Sequence, residues 1–150
     1  MAHVKTKILV RVAVRLRTVS TSAFKRTRDD HASETAEDYV EAVAEFLHVA
    51  GECRVSMLAK KFGVSHVTAS RIVRRLDREG LLVAPPRKPI QLSPKGLALA
   101  KRSRARHELV FAFLRALGVS KRTAEIDAEG IEHHVSQETL RHMKKFMSDS

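Results

Sequence analysis

The tripeptide Gly63-Val64-Ser65 constrains what this chain can fold into more than any other stretch. It separates two short amphipathic segments. Arg54 to Phe62 carries Val55, Leu58, Ala59 and Phe62 on one face, and the segment running to about Glu79 carries Ala69, Ile72, Val73 and Leu76 on one face. Apolar residues at three- and four-residue steps mark helices; a glycine ends one, and a serine hydroxyl satisfies the first free amides of the next. Two helices joined by so short a turn form a helix-turn-helix. Gly80 stops the second helix. Beyond it, Leu81-Leu82-Val83 and Ile90-Gln91-Leu92 flank the turn-rich Ala84-Pro85-Pro86-Arg87-Lys88-Pro89, the pattern of a small hairpin whose prolines suit edge strands. Helix, turn, helix, hairpin is the order of a winged helix-turn-helix.

The same periodicity extends on both sides. Upstream, Tyr39, Val43, Phe46 and Leu47 predict a helix from Thr35 to about Ala50, with Thr35 and Asp38 resembling a helix start. Downstream, Ser93-Pro94-Lys95-Gly96 opens a long helix from about Leu97 to Leu117, whose apolar stripe includes Leu97, Leu109, Phe113 and Leu117. Gly118-Val119-Ser120 starts another, to about His134, and Ser136 caps a last one from Gln137 to Met147. The expectation is a mainly α protein: a winged helix-turn-helix over residues 35–96, then a helical lobe over 97–150. Residues 1–34 read as a basic, poorly ordered extension. Within it, Arg11 and Arg15 interrupt the apolar run Ile8–Arg17 that a secretory leader would need. A basic arm on DNA, a membrane-surface segment and a start codon placed too far upstream are the other readings of that tail.

Charge sharpens the picture. The formal net charge is +11, but residues 51–106 carry fourteen bases against three acids, whereas residues 31–50 hold five acids and no Lys or Arg. Such a balance calls for a polyanionic partner, nucleic acid or an anionic membrane surface, and the helix-turn-helix within the basic segment selects double-stranded DNA. Apolar runs fall short of the roughly 20 residues that span a bilayer. The single cysteine, Cys53, has no partner for an internal disulfide, which fits a reducing, cytoplasmic compartment. On the second helix Ser65, His66, Thr68, Ser70, Arg71, Arg74 and Arg75 lie opposite the apolar stripe. The early ones stand where a recognition helix touches base edges; Arg74, Arg75 and the hairpin-tip Arg87 and Lys88 suit phosphates. A basic helix face is also what an ordinary solvated surface looks like.

The acidic flanks hold a second pattern. Asp38 and Glu41 are three residues apart on one helix; Glu129, Glu132 and His133 stand at i, i+3 and i+4 on another; His107 lies on the long helix between them. Carboxylates gathered on facing helices are costly unless a cation neutralises them. Four carboxylates and two imidazoles suffice for one six-coordinate ion, or for two ions bridged by Glu129 and Glu132. Oxygen donors with a little imidazole suit Mn(II) or Fe(II) better than metals that prefer thiolates. The ordinary reading of each residue alone is a solvated acid, or a first-turn acid favoured by the helix dipole. A dinuclear metalloenzyme would use a similar cluster, but no separate acid, base or nucleophile accompanies it, so no enzyme is expected.

The stretches Ala36-Glu37-Asp38-Tyr39-Val40-Glu41, Arg106-His107-Glu108-Leu109 and Asp127-Ala128-Glu129-Gly130-Ile131-Glu132-His133-His134-Val135-Ser136 resemble the diphtheria-toxin-repressor (iron-dependent repressor) family, and its manganese-responsive branch most of all. The resemblance covers about residues 35–147. It implies a metal-binding and dimerisation role for the helical lobe, with Asp38, Glu41, His107, Glu129, Glu132 and His133 as ligands of one or two Mn(II) ions. It further implies a cytoplasmic homodimer on a palindromic operator, repressing manganese uptake genes when metal-bound and able to activate export genes. In iron-type members a methionine and a cysteine stand where this chain has Asp38 and Glu129, so the harder ligands favour manganese. An Fe(II)- or Zn(II)-responsive repressor of the same fold and a metal-independent winged-helix regulator are the alternatives.

Overall fold

The computed structural model describes residues 21–149. Helix α1 (Thr21–Ala50) leads into α2 (Val55–Phe62) and α3 (His66–Arg78). A two-stranded antiparallel hairpin of β1 (Leu82–Val83) and β2 (Gln91–Leu92) follows, with Leu82 opposite Leu92 and Val83 opposite Gln91. Then come α4 (Pro94–Ala116), α5 (Lys121–Ile131), a 3₁₀ turn Glu132–His134, and α6 (Gln137–Ser148). The helix-turn-helix and the wing form where the sequence places them. Gly63 takes φ 62° at the end of α2, a left-handed cap that glycine adopts without strain. The Ser65 hydroxyl accepts the Thr68 amide at 3.1 Å and starts α3.

α1 departs from expectation. It is already helical at Thr21, so Thr35 opens nothing; its hydroxyl donates back to the His31 carbonyl at 2.8 Å inside the helix. Residues 21–34 contain no glycine or proline to stop the helix, and a threonine four residues beyond a free carbonyl reads the same at a cap as within a turn. Part of the extension expected over residues 1–34 is therefore regular helix. The stretch Ile8–Arg17 lies outside the described residues.

The larger core joins α1 (Tyr39, Val40, Val43), α2 (Leu58), α3 (Val73, Leu76), the hairpin (Leu81, Leu82, Ile90) and Cys53. Tyr39 stacks on Phe62 with ring centroids 4.4 Å apart. Ala100 of α4 belongs to the same cluster, while Val110 of α4 joins Ala128 and Leu140 in a smaller second core. One continuous helix thus crosses the boundary expected near residue 96. Its inner face is also different: Gly96, Ala100, Ser103 and Val110 are buried, whereas Leu97 and Leu117 are exposed. Small side chains let α4 lie close to the elements beneath it. A Cβ on Gly96 would stand 1.9 Å from the Leu81 carbonyl oxygen, so only glycine fits there.

Candidate metal centre and nucleic-acid interface

Glu37 and Asp38 of α1 and His107 of α4 meet the 3₁₀ turn, and Arg106 of α4 pairs with Glu37. The helix expected to run to about His134 gives way at Glu132, and this tighter turn sends Glu132 and His133 to different partners. Glu132 is 3% exposed. Its Oε2 lies 2.5 Å from His107 Nδ1 on α4, and its Oε1 lies 3.5 Å from His133 Nε2. Glu129 Oε2, on α5, stands 3.7 Å from the same His107 nitrogen. His107, Glu129 and Glu132 each offer a ligand atom within 4.8 Å of the others. The same His133 Nε2 lies 3.4 Å from Asp38 Oδ1 of α1. Asp38, His133 and Glu132 therefore form a second group that shares Glu132 with the first.

The electrostatics show strain. Burial pushes the Asp38 carboxyl up to about 6, partly opposed by His133 and reinforced by the charges of Glu129, Glu34 and Glu41. Burial likewise raises Glu132, although His107 and His133 pull it back. Burial works against charging of His133, but the Glu37 hydrogen bond and the charges of Asp38, Glu132 and Glu37 overcome it and raise its pKa. A buried Glu132 and a half-buried Asp38 beside the imidazoles, with the more exposed Glu129 at the rim, fit a divalent cation that takes oxygen and imidazole nitrogen. Cys53 is fully buried in the other core, its thiol pushed up to about 11, and supplies no donor here. Glu41 is half-buried and lines a groove with Leu97, Ala100 and Lys101; it bears on the cluster through its charge on Asp38. His134 is exposed.

Sequence reasoning missed two members. Glu37 is 9% exposed, lies within hydrogen-bond distance of His133 Nδ1 at 2.7 Å, and pairs with the Arg106 guanidinium. A signal existed, since Glu37 stands three residues before the buried Val40 and one after the buried Ala36. An acid on the core-facing stripe of a helix needs a partner.

The basic side is organised around α3 and the wing. A cleft of about 470 Å3 between them is lined by His66, Ser70 and Arg74 of α3 and by Arg87 and Lys88 of the wing, together with Arg54, which the sequence pattern did not single out. Arg71 is exposed on the same helix. Ser65 and Thr68 are committed to the cap, the Ser65 hydroxyl also donating to Thr68 Oγ1 at 2.9 Å. Arg75 does not reach outward as expected for a phosphate contact. It donates to the Ala32 carbonyl of α1 at 3.2 Å and stands 3.6 Å from Glu79. At the wing tip the Lys88 amide donates to the Pro85 carbonyl at 3.2 Å, which places Arg87 third in the turn with φ 61°.

Residues 31–90 match the iron dependent repressor N-terminal DNA binding domain, and residues 93–150 match the iron dependent repressor metal binding and dimerisation domain. The chain belongs to the iron-dependent repressor family. It is similar to the transcriptional regulator MntR of Salmonella typhimurium, 43% identical over 117 residues that cover 78% of this chain and 74% of that protein. The transcriptional regulator MntR of Escherichia coli is 41% identical over 123 residues, 82% of this chain and 79% of that protein. Among solved structures, that of the manganese regulator SloR superposes with a TM-score of 0.65 at 27% identity, covering 75% of this chain and 53% of that one. This iron-dependent repressor family chain thus spans about half the length of that structure. No described helix is long and apolar enough to cross a membrane.

Proposed function

We propose that this protein is a cytoplasmic Mn(II)-dependent transcriptional regulator that binds a palindromic operator as a homodimer and represses manganese uptake genes when metal-bound. The observation that carries the reading is Glu132, a carboxylate of 3% exposure held between His107 and His133 and raised by its burial. The ligand set is Asp38, Glu41, His107, Glu129, Glu132 and His133, with Glu132 shared between two positions. Neutralising these carboxylates is the chemistry that a bound divalent cation supplies. The residues themselves tie the two lobes: Asp38 rides on α1, packed in the larger core, and His107, Glu129, Glu132 and His133 belong to the second lobe. Holding that joint fixes the spacing of two α3 helices in a dimer, which must be about 34–36 Å on a palindromic site. His66, Ser70 and Arg71 then read base edges, while Arg54, Arg74, Arg87 and Lys88 follow the phosphates. Exposed Leu117 and Ile126, 57% and 66% accessible, supply apolar surface for the dimer.

The oxygen-rich donors, without a thiolate, favour manganese over softer metals. The test is a DNA-binding titration at fixed salt with Mn(II), Fe(II), Zn(II) or chelator. Mn(II) is expected to tighten binding to a palindromic promoter site, and by linkage DNA to tighten Mn(II) binding. Titrations unchanged by Mn(II) and by chelator would refute the reading. A stronger response to Fe(II) or Zn(II) would replace the cation and leave the regulator.

A further inference from the structure

We infer that Glu37 and Arg106 are positioning residues of the metal centre: Glu37 holds the His133 ring with its proton on Nδ1 and its lone pair on Nε2, and Arg106 holds Glu37. The inference rests on the reading of the cluster as a cation site. Neither residue belongs to the ligand set, yet both lie against it, and both are largely buried, with side chains 11% and 16% exposed.

The argument is one of hydrogen counting. His133, 4% exposed at its side chain, is faced by carboxylates on both nitrogens. Nδ1 is 2.7 Å from Glu37 Oε2; Nε2 is 3.4 Å from Asp38 Oδ1 and 3.5 Å from Glu132 Oε1. A neutral imidazole has one N–H and one lone pair, and an ionised carboxylate can only accept. The ring must therefore give its hydrogen to one side. Glu37 is the stronger claimant, being nearer and paired at the same Oε2 with the Arg106 guanidinium. With the proton at Nδ1, the Nε2 lone pair, Asp38 and Glu132 converge with no hydrogen between them, an arrangement that a divalent cation satisfies. Were the proton at Nε2, it would be donated to Asp38 and the ring would no longer be a ligand on that side. Glu37 thus excludes the tautomer that would satisfy the site without metal.

The sequence supports this with two adjacent pairs. In Glu37-Asp38 on α1 and in Arg106-His107 on α4, the second residue faces the cluster and the first faces its support. Consecutive residues of a helix point about 100° apart, so each helix presents one side chain to each layer.

The test compares the full chain with Glu37→Gln and Glu37→Ala, with circular dichroism confirming helix content. The first readout needs no metal: two-bond ¹H–¹⁵N correlations of His133 at about pH 8, where an ordinary imidazole is neutral, report which nitrogen is protonated. The second is Mn(II) affinity by calorimetry. Wild type is expected to show the Nδ1–H form and the variants a mixture, with Mn(II) binding weakened about 10- to 100-fold. Glu37→Gln keeps the side chain's shape, so it decides the matter even where Glu37→Ala fails to fold. An Nε2–H ring in wild type, or full Mn(II) affinity together with the Nδ1–H form in Glu37→Gln, overturns the inference. Wild-type protein that binds no Mn(II) but shows the Nδ1–H form overturns the cation reading alone, because the ring has then been set as argued.

Discussion

Arg87 offers a test in which stability and function move in opposite directions. At the wing tip it occupies the third position of the Pro85–Lys88 turn with φ 61°. A proline at the second position and a left-handed third residue describe a type II turn, whose third position favours glycine. For a residue with a Cβ this conformation costs of order 1–3 kcal/mol. Arg87→Gly removes that strain but adds about 0.5–1 kcal/mol of unfolded-chain entropy. The net expectation is a gain of about 1 kcal/mol, or roughly 2–4 °C in Tm for a chain of this size. The same change removes an exposed cation placed for a phosphate. Operator and random-sequence DNA should both bind more weakly, and the slope of log affinity against log salt should shrink by about 0.9 for each phosphate left without its cation. Thermal melts at one protein concentration, which matters for a dimer, and anisotropy titrations across a salt series measure the two effects. A lowered Tm would show that the arginine stabilises the turn through its side chain. An unchanged salt slope would show that the wing tip touches no phosphate. Either result refutes the account of a strained residue kept for DNA.

Two other perturbations probe the scaffold and the cluster. Gly96→Ala improves helix propensity by about 1 kcal/mol, yet its Cβ would stand 1.9 Å from the Leu81 carbonyl oxygen; overpacking against backbone should dominate, with a net loss of roughly 2 kcal/mol in urea unfolding, and a stabilised variant would contradict the close approach of α4 to the wing. In chelator, Asp38→Asn tests the raised carboxyl. The folded value of about 6 lies above the ordinary 3.8, so Asp38 favours the fold below about pH 4 and that contribution is lost as pH rises through about 6. The asparagine variant should therefore match wild type near pH 4 and melt higher near pH 7; a difference independent of pH would remove burial of this carboxylate as the cause.

The parts of the fold that were legible are those fixed by neighbours in the chain. Gly63 and Ser65 specify a left-handed stop and a capped start within three residues, and both form as read. The inner face of α4 was misread because its buried positions, Gly96, Ala100 and Ser103, are too small to register as an apolar stripe, while Leu97 and Leu117 do register and lie exposed. At the cluster, the residue types and helical spacings pointed to His107, Glu129 and Glu132, which come together. The division of labour was not legible. That Glu132 reaches His107 of α4 while His133 reaches Glu37 of α1 depends on contacts between elements distant in the chain. That Glu37 holds His133 and Arg106 depends on contacts spanning 96 and 69 residues, which no local pattern carries. The Arg75 bond was hidden for the same reason, since its acceptor, the Ala32 carbonyl, lies 43 residues upstream.

That last bond gives α1 a further property. Ala32 and Asp38 sit on one unbroken helix, six residues and about 9 Å of rise apart. A helix is stiff along its axis over so short a length, so a slide of α1 at Asp38 arrives undiminished at the Ala32 carbonyl. The Arg75 bond there is 3.2 Å long, and hydrogen bonds fade within a few tenths of an ångström beyond that. The Arg75 bond thus ties the position of α1 at Ala32 to α3, on the same helix that carries Asp38.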